Sequence, residues 1–372
     1  MECRLGEIGK LYKGFGISKD QLSDNGEPCI LYGELYTKYT TEAINNIISK
    51  TNISDTKLVK SNGNDVIIPC SGETAEDIAT ARCVLKDNVL LGGDLNIIRL
   101  HKDNGLFMSY QLNGKRKYDI TRVSQGVSVV HLYGEHLKGI KTYCPNLDEQ
   151  NKIATFLSLL DERIATQNKI IEELKQLKNG IIEKQYKNVF NNCRLGDVIK
   201  QTSIRNKNKA ITNILSVNNK SGFINQREQF EDRIIASDDI SNYKIVEKKH
   251  FAYNPARINV GSIAQLKTFE SGIVSPMYIC FKTQNNIDSD YLEYYFSTLL
   301  FKKEVQKRLE GSVRLCLSYE SLCNIPFFVP NIDEQKRISR ELSLLSSKIN
   351  IEDCYLSILE KQKQYLLRQM FI

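Results

Sequence analysis

The sequence predicts an α+β protein: two mixed α/β domains joined by two long helices that pair as an antiparallel coiled coil, with a pseudo-twofold internal repeat. Three observations carry this. The run PNLDEQ at 145–150 returns as PNIDEQ at 330–335. About 130–145 residues rich in Val, Ile, Tyr, Phe and Gly precede each copy, with short strand-type runs such as DVIIPC (65–70) and NIPFFVP (324–330). About 40 proline-free residues with apolar positions at heptad spacing follow each copy.

The repeat sets the boundaries. At a constant offset of 185, Gly126, Leu132, Glu135, Leu137 and Ile140 meet Gly311, Leu317, Glu320, Leu322 and Ile325. Ile153, Leu157, Leu159, Leu160 and Ile164 meet Ile338, Leu342, Leu344, Leu345 and Ile349. CRLGEIG at 3–9 answers CRLGDVI at 193–199. The chain is one unit written twice. The expected segments are a first domain at 1–147, a central helix at 148–190, a second domain at 191–332 and a C-terminal helix at 333–372.

Each helix starts after a proline, Pro145 or Pro330, with Asp148–Glu149 or Asp333–Glu334 suited to the positive end of the helix dipole. The first seam is Leu157, Leu160, Ile164, Ile171, Leu174 and Ile181. The second is Leu342, Leu345, Ile349, Leu356, Leu359 and Leu366. Polar breaks fall at equivalent places, Gln167 and Lys178 in one, Glu352 and Lys363 in the other. Two helices with one register and the same breaks point to mutual pairing rather than to each lying along its own domain. At 1.5 Å per residue each makes a rod of roughly 60 Å.

Composition narrows the function. The chain has 372 residues, 41% hydrophobic and 26% charged, which suits a soluble globular protein. No stretch approaches the ~18 apolar residues of a membrane span, and the N-terminal residues carry no signal-type apolar run. The ten cysteines form no CxxC pair and are expected as reduced, mostly buried thiols. A net charge of +7 is concentrated in 191–332, which alone carries +5 and suits a polyanion partner.

Catalytic machinery is not evident. There is no phosphate-binding G-x-x-x-x-G-K-[ST], and GKLYKGFG lacks the third glycine of a dinucleotide fingerprint. NPAR at 254–257 departs from the NPP-aromatic motif of amino-methyltransferases at Ala256 and Arg257. His101, His131, His136 and His250 show no metal-ligand spacing. The expectation is a protein that binds and positions, with no metal and no cofactor of its own.

Candidate nucleic-acid contacts are Lys115, Arg116 and Lys117 in the basic turn GKRKYD (114–119). In the second domain they are Arg205, Lys207 and Lys209 in RNKNKA, with Arg227 and Arg233. Arg257, in the shaped loop NPARINVGS, is the preferred base- or phosphate-contacting candidate. Tyr36, Tyr39, Tyr243 and Tyr253 could stack on bases, although core packing is the usual place for a tyrosine.

Two strand-rich domains, each ending in a G-x(5)-L-x(4)-L-x-x-I-x(4)-P segment and then a helix starting DEQNKIATFLSLLDERI or DEQKRISRELSLLSSKI, resemble the specificity subunit of type I restriction–modification systems. LGEIGKLYKGFGIS, ILYGELYTKY and NPARINVGSI add to the resemblance, which spans the chain. The resemblance implies two target-recognition domains that read the halves of a bipartite site in double-stranded DNA, with the helices as a ruler. It implies no catalysis in this subunit. Methyltransferase subunits would bring S-adenosylmethionine, and a restriction/translocase subunit would bring ATP and Mg. The expected setting is the prokaryotic cytoplasm. A free-standing double DNA- or RNA-binding protein or decoy, and a self-contained modification enzyme, are the competing readings.

Overall fold

The computed structural model describes residues 2–126, 129–187, 191–219, 221–226, 239–312 and 314–371. It is a mixed α+β fold with two long helices, Leu147–Tyr186 of 40 residues and Ile332–Gln369 of 38. The chain divides into two compact units, residues 1–170 with 352–372, and residues 171–351. Each unit therefore holds one strand-rich domain and one portion of each long helix.

In the first unit a five-stranded sheet runs in the order Gly9–Lys13, Leu95–Leu100, Asp65–Pro69, Arg82–Val84, Ala43–Ile44. The run DVIIP is its fully buried middle strand. Successive side chains of a strand point to opposite faces, so Val66 and Ile68 enter one core with Leu5, Ile98 and Leu132, while Ile67 enters a second with Ile30, Leu35 and Leu91. Helix Gly105–Asn113 is buried on almost every side, with apolar residues around its circumference and its buried Ser109 and Gln111 hydrogen-bonded to backbone. Met108 and Leu112 pack on the sheet side, whereas Phe107 and Tyr110 join Ala154, Leu157 and Leu367 of the long helices and Phe371 just past the C-terminal one.

The second unit repeats this plan with a four-stranded sheet, Ile199–Thr202, Ile279–Thr283, Phe251–Tyr253, Ile263–Gln265. Its helix Ser289–Ser297 is the counterpart of Gly105–Asn113. An aromatic core of Tyr186, Tyr291, Tyr295, Phe296, Phe301 and Phe327 ties that helix to the end of the central helix.

The repeated motifs make repeated bonds. The Leu5 N–H donates to the Ile140 carbonyl and the Leu195 N–H to the Ile325 carbonyl, both at 3.0 Å. Each long helix is capped by the asparagine of its PN(L/I)DEQ run: Asn146 Oδ1 accepts from the Glu149 N–H and Asn331 Oδ1 from the Glu334 N–H, both at 2.9 Å. Gly126 and Gly311 close equivalent turns at φ 122° and 124°.

All twelve seam residues are buried or half-buried, while Leu159 and Leu344, also shared by the repeat, are exposed. Within the first unit the helices run antiparallel. Asp161 meets Lys363, and further along the central helix Gln167 meets Glu352, earlier on its partner. The ten cysteines are all free thiols, buried or half-buried except Cys354. No helix among the described residues is long and apolar enough to cross a membrane.

Candidate nucleic-acid interface

In the second unit the middle strand Phe251–Tyr253 delivers the chain into the NPAR loop. Asn254 builds the turn: its side-chain oxygen accepts from the Ala256 N–H at 3.1 Å, and its carbonyl accepts from the Arg257 N–H at 3.0 Å. A single turn of 3-10 helix, Ile258–Val260, buries Ile258 beneath the loop. Gly261 at φ 91° then lets the Ser262 N–H return to the Arg257 carbonyl at 3.1 Å. Arg257 is thereby held exposed at the tip of a closed loop. Asn254 also donates to Sδ of Met277, itself exposed, and Val260 is exposed on the same loop.

A second loop lies alongside. The Leu317 N–H donates to the Pro255 carbonyl at 3.1 Å, and the Tyr253 hydroxyl donates to the Leu317 carbonyl at 3.2 Å. The preceding turn is pinned by paired backbone bonds between Glu310 and Cys316, and it presents Arg314 to solvent. Arg257 and Arg314 thus sit on two bonded loops at one end of the sheet. Sequence reasoning singled out Arg257 and missed Arg314, whose only signal was its place just after a glycine shared by the repeat.

The first unit has the same frame. The Leu132 N–H donates to the Cys70 carbonyl at 2.8 Å, and the turn is pinned between Gln125 and His131. The exposed side chains differ. His131 stacks on Tyr133 with ring centroids 6.3 Å apart, and His136 meets Tyr133 edge-on at 5.7 Å. Tyr133 is exposed, so this is a preset aromatic surface of the kind on which bases stack.

The basic turn at 114–117 sits against the C-terminal helix, since a β-carbon on Gly114 would stand 2.4 Å from the Leu367 carbonyl oxygen. Lys115 is exposed, while Arg116 is largely covered and lies 3.7 Å from Asp119. Lys117 turns inward to a polar cavity of about 600 Å³ shared with Glu42, Arg82, Asp161 and Lys363. Burial, helped by Arg82, lowers the Lys117 pKa. In the second domain Arg205 donates to Asn242 at 2.8 Å and Lys209 pairs with Asp239 at 3.1 Å, with Lys207 exposed between them. Arg227 and Arg233 lie outside the described residues. Tyr39, Tyr243 and Tyr253 are buried in the core, and Tyr36 is half-buried. Among the described residues no group of three or more His, Cys, Asp or Glu could hold a metal ion.

The structure thus holds two copies of one scaffold, each offering different side chains from the same loops and each packed on a portion of the two long helices. Residues 1–176 match the family described as Type I restriction modification DNA specificity domain. The Type I restriction enzyme MjaVIII specificity subunit of Methanocaldococcus jannaschii is 23% identical over 403 residues, covering 98% of this chain and 90% of the relative. The crystal structure of the Type-I restriction-modification system S subunit from M. genitalium superposes with a TM-score of 0.58 at 16% identity, over 100% of this chain and 96% of that one. A structure from work on complex assembly and conformational transition of the type I R-M system gives 0.59 at 14% identity, over 99% and 96%. The chain thus resembles type I restriction–modification specificity subunits, through the family domain over residues 1–176 and through relatives aligned over nearly its whole length.

Proposed function

We propose that this chain is the non-catalytic, DNA-reading subunit of a type I complex and that its two units each read one half of a bipartite site. The observation that carries the reading is the contrast between frame and loops. The frame bonds recur from unit to unit, whereas the loop positions holding Arg257 and Arg314 in one unit hold Gly72 and Val129 in the other. A constant frame with variable exposed residues is what two readers of different half-sites need. An arginine can contact guanine O6 and N7 with two bonds or sit on a phosphate, and exposed aromatics can stack on bases.

The 40-residue central helix is about 60 Å long, enough to space readers over successive major grooves of B-DNA, whose turn is ~34–36 Å. In this reading the helices also dock methyltransferase and restriction/translocase subunits in a prokaryotic cytoplasm. S-adenosylmethionine, ATP and Mg are then used by those partners.

Reconstitution tests this. The purified chain alone should transfer no methyl group to DNA and cleave none. Methylation at a two-part motif should appear on adding a methyltransferase subunit. Turnover by the isolated chain would overturn the non-catalytic assignment. DNA binding with no response to any methyltransferase subunit would favour a free-standing DNA-binding protein.

A further inference from the structure

The polar breaks in the two seams suggest a role beyond holding register. Lys363, on the C-terminal helix, is 15% exposed, and its ammonium lies 2.6 Å from Glu42 Oε2 and 2.5 Å from Asp161 Oδ1. It also sits over the Tyr110 ring, 5.7 Å from the centroid. The Tyr110 hydroxyl donates to Asp161 at 2.6 Å, and Asn113 donates to Glu42 at 3.1 Å. Three separate pieces meet at one ammonium: the first domain through Glu42, Tyr110 and Asn113, the central helix through Asp161, and the C-terminal helix through Lys363. The surroundings are the polar cavity of about 600 Å³, lined also by Thr40, Thr80 and Asn168. At this joint a charged cluster adds a directional restraint to the apolar contact of Phe107 and Tyr110 with Leu157, Leu367 and Phe371.

The second unit has the same lysine without the clamp. Lys178, the repeat partner of Lys363, sits over Tyr294 at 5.6 Å, and Tyr294 stands where Tyr110 does. Ser346 replaces Asp161. The nearby acids Glu293 and Asp290 are both paired with Lys267.

We propose that Lys363 is a positioning residue that fixes the orientation of the first recognition domain on the helix pair, and so restricts the length of the unread spacer between half-sites. The proposal rests on the bipartite reading above. A largely buried ion cluster favours one geometry because displacement separates the ammonium from its two carboxylates, so its loss should loosen geometry more than sequence readout. Lys178, with a ring but no carboxylate clamp, restrains its own domain less.

The test uses the assembled complex and a set of DNA duplexes with fixed half-sites and spacers changed by one or two base pairs. The wild type should prefer one spacer. Lys363→Met should reduce that preference by about tenfold, one pK-scale step of ~1.4 kcal/mol, while both half-site sequences stay the same. Lys363→Arg should recover part of it, and Lys178→Met should change it less. Should Lys363→Met misfold, the triple variant Glu42→Gln/Asp161→Asn/Lys363→Met removes the ammonium and both carboxylates at similar volume, leaves Arg82 on the Leu35 and Tyr39 carbonyls, and replaces it in the assay. An unchanged spacer ratio in a folded Lys363→Met or triple variant overturns the proposal. A wild-type complex that methylates no two-part site overturns the bipartite reading itself, and the proposal with it.

Discussion

Gln150 and Gln335 make the same two hydrogen bonds in their respective units. Each buried carboxamide donates to the carbonyl of the proline five residues earlier, Pro145 or Pro330, at 2.9 Å. Each side-chain oxygen accepts a backbone N–H from the residue capping the domain's buried helix, Asn104 at 2.9 Å or Asp288 at 2.8 Å. One glutamine therefore joins the start of a long helix to the helix of its own domain. Replacing either by Ala should leave a buried N–H without an acceptor and destabilise that unit by ~1–3 kcal/mol. Urea unfolding followed by hydrogen exchange in each unit checks both size and place.

Gly126 and Gly311 stand at φ 122° and 124°, and an added β-carbon would lie 2.1 Å from the Val129 carbonyl oxygen or 2.3 Å from that of Arg314. Alanine at either position should distort the loop that carries the candidate contacts, at a cost of ~1–3 kcal/mol. The expected result is weakened DNA binding by one unit with a modest fall in melting temperature, read by binding assays and calorimetry.

Arg257→Ala and Arg314→Ala should each cost ~1–3 kcal/mol of DNA affinity if the side chain reads a base, and should relax one position of one half-site. If it sits on a phosphate, the loss is uniform across sequences and the salt slope falls by about one. A competition assay over base-substituted duplexes at two salt concentrations separates the two.

The imidazole of His250 has its pKa lowered, by burial first and then by Lys282, against the opposing pull of Glu247. The folded state then binds a proton less readily than the unfolded chain. Stability of the second unit should be unaffected above the unfolded pKa of about 6.5 and should fall as pH drops below it. Urea midpoints at pH 7, 6 and 5 should decline, and His250→Gln should flatten the decline.

The repeat, the long helices and their seam were legible in sequence because apolar heptads and the PN(L/I)DEQ cap are local patterns with local causes. The partners of the polar breaks were not. Gln167 and Glu352 bond to each other, and Lys363 reaches Glu42, 321 residues away. The contact candidates were only partly legible. The basic residues 115–117 look alike in sequence, yet the approach of Gly114 to the C-terminal helix leaves Lys115 outside and turns Lys117 inward. Arg314 carried no motif of its own, and long-range bonds from Leu317 to Pro255 and Tyr253 bring its loop beside that of Arg257.

The measurement closest to the central claim is a genome-wide map of DNA methylation in cells whose first domain, residues 1–144, has been exchanged for that of a relative. Two independent readers on one frame predict a two-part motif in which one half changes, while the other half and the spacer stay as in the parent. A map in which both halves change together, or in which neither does, would contradict the account.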